Sequence, residues 1–172
     1  MGRVQKFSVF LAAITLCLLS LGTKASTMEK PAGEVILTVS GNIKISNSDD
    51  GTATFDQEML TALPSQTIET TTPWTDGVVK FEGPLLRDVL KMVGGTGQSL
   101  KATAYNDYSV NIPAADFTNF DVILAYKRDG DIMTLRSKGP LWIIYPWDTH
   151  DDLRTELFHS RSIWQLRALD IQ

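Results

Sequence analysis

Residues 68–86, IETTTPWTDGVVKFEGPLL, decide how the rest of the chain is read. The β-branched alternation of residues 67–71 predicts a strand that ends in Thr70-Thr71-Thr72. Pro73 and Trp74 then break the pattern, and Val78 to Phe81 predicts a second strand. Gly83-Pro84 predicts a helix start, with proline in the first turn. Leu85, Leu86, Val89, Leu90 and Val93 fall on one helical face, and Gly94-Gly95 ends it.

Outward from this stretch, elements are short and close together. On the N-terminal side, residues 34–40 alternate as a strand, Gly41-Asn42 marks a turn, and residues 43–45 are the expected return strand. Residues 55–63 predict a short amphipathic helix stopped by Pro64. On the C-terminal side, Asn106-Asp107 and Asp129-Gly130 predict hairpin turns. Residues 121–127 and 139–145 read as buried strands and 162–171 as a last, alternating strand. Residues 149–158 read as a helix capped by Thr149 and Asp152. Some ten short strands with three or four short helices, joined as hairpins, give an α+β fold with a mixed or antiparallel β-rich core. No dinucleotide fingerprint, phosphate loop, zinc-protease or nucleophile-elbow motif occurs in residues 26–172.

Composition bounds the function. Residues 1–6 carry Arg3 and Lys6, residues 7–22 are apolar, and Thr23-Lys24-Ala25 offers a small-x-small site. This predicts a cleaved signal peptide over residues 1–25, export by the general route to the periplasm, and one domain over residues 26–172. Leaving out residues 1–25 removes three of sixteen basic residues and none of the twenty acids. The remainder therefore carries a formal charge of −7 (13 basic against 20 acidic). So acidic a chain argues against nucleic acid or an anionic membrane as partner. The single cysteine, Cys17, lies in the apolar run. The remaining chain thus offers neither disulfides nor thiolate ligands, and His150 and His159 alone are too few for a metal site.

Several short motifs then follow one another in a telling order. They are F-x-G-P-L-L at residues 81–86, A-x-N-D-Y at 104–108, I-L-A at 123–125, Asp129-Gly130, G-P-L-W-I-I-Y-P at 139–146 and R-S-x-W-Q-L at 161–166. Together they resemble the molybdopterin-binding domain of the sulfite oxidase family, over most of residues 26–172. The resemblance implies that fold and a pocket for a pterin. Enzymes of that family hold molybdenum through a cysteine thiolate on the segment before the F-x-G-P-L-L helix. Here that segment is Thr70-Thr71-Thr72, and a hydroxyl cannot replace a soft thiolate. The chain thus resembles the small, exported, cysteine-less members of the family. These are thought to bind pterins, reduced and unconjugated forms included, and to signal through inner-membrane proteins. The alternatives are a molybdopterin-dependent oxidoreductase subunit and a ligand-free interaction domain.

A pterin needs a flat face to stack on, acceptors for its amino and ring N–H groups, and a donor for its carbonyl. The candidates are Thr70, Thr71 and Thr72 at the ring edge and Trp74 as platform, with Asp107 or Asp76 as the carboxylate. Tyr105 and Tyr108 flank Asp107, Arg136 and Lys138 offer positive charge to a carbonyl or phosphate, and Arg161 and Trp164 close the C-terminal side. Each also has an ordinary explanation: threonine favours strands, Asn-Asp favours turns, and strand aromatics pack in cores. No catalytic residue and no metal ligand is assigned.

Overall fold

A computed structural model describes residues 28–172; the expected signal peptide of residues 1–25, with Cys17 inside it, lies outside the described residues. The alternating run after Glu34 forms β1 (Leu37–Gly41), with Leu37 and Val39 fully buried. Its expected hairpin partner does not form. Lys44 and Ile45 instead donate their N–H groups to the carbonyl of Val93, at 3.0 and 3.1 Å. That carbonyl closes a helix end, where acceptors would otherwise lack partners. β1 pairs antiparallel with β2 (Ala53–Phe55) and parallel with β11 (Leu166–Ile171). β11 pairs with β5 (Ser99–Ala104), and β5 with β6 (Ser109–Pro113), through the Asn106-Asp107 turn. The resulting sheet has the order β2-β1-β11-β5-β6.

A second sheet is antiparallel throughout. β3 (Ser65–Thr71) pairs along its length with β4 (Val78–Pro84), which pairs with β8 (Lys127–Arg128), and β8 with β9 (Asp131–Ile132). β7 (Ile123–Ala125) and β10 (Trp142–Ile144) form a separate, fully buried antiparallel pair. Four short helices fill the connections: α1 (Gln57–Thr61), α2 (Leu86–Met92), α3 (Ala114–Asn119) and α4 (Glu156–Arg161). Asp56 caps α1 by accepting from the N–H of Met59 at 2.9 Å, and its other oxygen accepts from Ala32 and Gly33. The mixed, β-rich architecture is the one expected.

Two stretches expected to open helices form other structure. The Gly83-Pro84 pair continues β4, and α2 begins at Leu86. Gly83 lies so close to β7 that a Cβ there would stand 2.0 Å from the carbonyl oxygen of Leu124. The glycine serves strand packing, and proline is tolerated at the strand end, where no further ladder bond is needed. The expected helix at 149–158 is also broken. Residues 147–149 and 151–153 form separate single turns, and α4 starts only at Glu156. The N–H groups of Leu153 and Arg154 reach back only three residues, to His150 and Asp151, and that of Thr155 to Leu153, so the helical ladder begins only where His159 donates to Thr155.

The core lies among these layers. Trp142, Tyr145 and Trp147 are buried, as are Phe81, Leu86, Val89 and Val93. Phe81 meets Trp142 edge to face, with centroids 5.3 Å apart.

Candidate functional site

The threonine triplet at the end of β3 is spent on the protein itself. Thr71 donates both its N–H and its hydroxyl to Asp148, each at 2.7 Å. The N–H of Asp148 returns to Thr70 Oγ1 at 3.2 Å, and Arg154 Nη2 donates to Asp148 Oδ1 at 2.8 Å. Burial would raise the Asp148 carboxyl, but the two Thr71 bonds and the Arg154 charge outweigh it and hold the group below the usual aspartate range. Thr72 faces inward. Its hydroxyl pairs with that of Thr75 at 2.7 Å and accepts from the N–H of Trp74 at 3.1 Å. The three hydroxyls thus tether the strand end to residues 147–149 and shape the loop that carries Trp74.

Trp74 is half-buried at the centre of an aromatic cluster. Its ring centroid lies 5.0 Å from Trp164, 5.9 Å from Trp142, 6.1 Å from Trp147 and 5.9 Å from His159, in tilted or edge-on contacts. One side of this cluster opens into a cleft of about 370 Å³. Trp74 and Trp164 form its aromatic wall, Asn106 and Tyr108 of the β5–β6 turn face it, and Glu156, His159 and Ser160 of α4 complete it. A smaller recess of about 290 Å³ lies beside Thr71 and Thr72 and is lined by Trp147, Arg154 and, again, His159. The cleft falls within the size range of small-molecule sites and combines apolar walls with few polar groups.

A buried ion pair holds α4 in place. Arg161 donates to both oxygens of Asp116 on α3, at 2.9 and 3.2 Å, and the Tyr145 hydroxyl donates to the same carboxylate at 2.7 Å. Burial, and then the Asp116 charge, push the Tyr145 hydroxyl far above its ordinary value against the opposing pull of Arg161. Tyr145 is therefore a fixed neutral donor. Arg161 is turned to this pair and does not line the cleft.

Of the residues singled out from sequence, Trp74, Tyr108 and Trp164 meet at the cleft. Asp107, in left-handed conformation with φ 65°, is turned away and pairs with Arg167. Tyr105 is exposed, and its N–H is bonded to Gln165. Lys138 lies over the ring of Trp164, 4.3 Å from its centroid, and Arg136 and Asp76 are exposed. Thr70, Thr71 and Thr72 stand behind the Trp74 loop and are bonded internally.

Residues 56–149, more than half of the chain, match the oxidoreductase molybdopterin-binding domain family. The chain belongs to that family. No curated protein matches the chain at a significant level. The matched residues bring in the triplet, Trp74, the β5–β6 turn and Asp148. They stop short of α4 and Trp164, so one wall of the cleft lies outside the matched segment.

The family's cofactor joins a pterin ring to molybdenum. Aromatic walls with an amide and a carboxylate fit the ring. The donor set does not fit a thiolate-bound metal. The described residues contain no cysteine, the triplet's hydroxyls are committed, and among the described residues no cluster of three His, Asp or Glu side chains is placed to hold an ion.

Asn106, Asp148, Glu156 and His159 were not expected at the site. Asn106 was legible as half of an Asn-Asp turn, but the choice between its two residues depends on which one points inward. Glu156 and His159 become neighbours of Trp74 only when α4 folds back over residues 72–75, a contact that no local pattern encodes.

Proposed function

We propose that this protein is an exported pterin-binding protein that senses or delivers a pterin to an inner-membrane signalling partner and performs no chemistry through a thiolate-bound metal. The observation that carries this is the cleft beside Trp74 and Trp164, together with the commitment of the Thr70, Thr71 and Thr72 hydroxyls to Asp148, Thr75 and Trp74. A family pocket for a ring persists, while the segment expected to ligate metal has become a structural tether. The apolar run and small-x-small site of residues 1–25 support export to the periplasm and a single domain over residues 26–172. Among the described residues no helix is long and apolar enough to cross a membrane. A membrane partner rests on the resemblance alone.

The second reading, a molybdopterin-dependent oxidoreductase subunit, is favoured by the family match itself. One preparation separates the two. Protein isolated from its native compartment should release a blue-fluorescent pterin on denaturation and contain substoichiometric molybdenum by elemental analysis. Molybdenum at one atom per chain would overturn the proposal in favour of the oxidoreductase.

A further inference from the structure

The cleft's polar groups are unequally available. The Ser160 hydroxyl donates to the Leu157 carbonyl at 2.7 Å, and that of Ser162 to Phe158 at 2.8 Å. Asn106 Oδ1 accepts from the N–H of Tyr108 at 3.1 Å, which leaves its Nδ2 donor without a partner among the described residues. Among the described residues Glu156 is the single carboxylate lining the cleft, and no lysine or arginine lines it. Among the described residues the basic group paired with Glu156 is His159, whose Nδ1 stands 4.0 Å from Oε1. The carboxylate therefore keeps acceptor capacity on both oxygens.

We infer that Glu156 reads the donor edge of the ligand, accepting from the 2-amino group and the adjacent ring N–H of a 2-amino-4-oxopyrimidine, while Asn106 Nδ2 donates to the 4-oxo oxygen. This rests on the proposed pterin function and assigns its specificity to α4, outside the segment matched to the family. A carboxylate is the acceptor-only group that can take two parallel N–H donors at once. A 2,4-dioxo ring presents an oxygen where the amino group would be and meets the carboxylate acceptor to acceptor. Such a ring is disfavoured because its binding would strip water from the carboxylate and the ring oxygen with no hydrogen bond between them. With no lysine or arginine lining the cleft among the described residues, the expected ligand is an unphosphorylated ring.

The test measures binding of two probes, biopterin and 6,7-dimethyllumazine, by calorimetry to the full mature chain and to Glu156→Gln. Glu156 is exposed in the free protein, so its substitution leaves folding intact, and an unchanged melting temperature checks this. Wild-type protein should bind biopterin at least about tenfold more tightly than the lumazine, and E156Q should lose most of that ratio through weaker biopterin binding. Equal binding of both probes by the wild type, or an unchanged ratio in E156Q, would overturn the assignment of Glu156 and leave the pterin function standing. Binding of neither probe by the wild type would overturn both.

Discussion

Replacing Asp148 with asparagine tests whether the triplet has become a tether. The carboxylate accepts two bonds from Thr71 and one from Arg154. An amide keeps one acceptor oxygen, so one Thr71 bond survives. The other, a hydrogen bond to a charged group, contributes about 1.5–3 kcal/mol. The Arg154 pair adds about 0–1 kcal/mol, because the arginine side chain is half exposed. The expected destabilisation is about 1.5–4 kcal/mol, which lowers Tm by about 4–12 °C for a domain of this size. The pH dependence has a definite sign. The folded Asp148 carboxyl lies below its unfolded value of about 3.9, so its stabilisation is fully present above about pH 4. It is lost as pH falls through the lower, folded value. Thermal unfolding of wild-type and D148N protein between pH 7 and pH 2 should show a gap that is constant at neutral pH and narrows below pH 4. A D148N melting temperature within about 1 °C of wild type at pH 7, or a gap that stays constant into acid, would refute the tether.

Three further substitutions probe the surroundings. Trp74→Ala should weaken biopterin binding about tenfold or more by removing the cleft's stacking wall, with far-ultraviolet dichroism unchanged; undiminished affinity would take Trp74 out of the site. Tyr145→Phe deletes the donor to Asp116 but leaves Arg161 in place, so urea denaturation should show a loss of about 1–2 kcal/mol with an unaltered m-value. A neutral effect would mean the Arg161 pair alone satisfies Asp116. Gly83→Ala forces a methyl against the Leu124 carbonyl and should destabilise by about 3 kcal/mol or yield insoluble protein; a soluble variant of wild-type stability would contradict the close β4–β7 approach.

The fold was legible in sequence wherever local pattern and tertiary environment agree. The strands expected at 34–40 and 162–171 form over 37–41 and 166–171, and the Asn106-Asp107 and Asp129-Gly130 turns and the apolar face of α2 fall where expected, because local pattern and burial agree there. The misread elements are those where a distant partner decides. Lys44 and Ile45 looked like a return strand, yet their N–H groups close the end of α2. Residues 149–158 have helical spacing, but residues 147–153 close as two tight single turns and the four-residue ladder starts only at Thr155. At the site, the hydroxyl character of Thr70 to Thr72 was visible, and their partner Asp148, some 77 residues away, was not. Aromatic residues could be named as candidates; which carboxylate faces them is set by the fold-back of α4 and by the turn of Asp107 towards Arg167.

The position of β11 governs the order in which this molecule can assemble. β11 follows every other strand described in chain order, yet it is the middle strand of the five-stranded sheet, flanked by β1 and β5. Ser40 Oγ reaches Asp170 at 2.8 Å across 130 residues of chain. Even Gln172 exchanges backbone hydrogen bonds with Ser99. A chain emerging from its N-terminus can form the β3–β4 hairpin early, but β1 and β5 have no bridge until residues 166–171 arrive. Such long loops must close before their contacts repay the entropy, which slows folding. Until then the Trp164 wall of the cleft is also missing. The cleft therefore exists only once residues 164–171 are in place, and a chain that lacks them has no Trp164 wall.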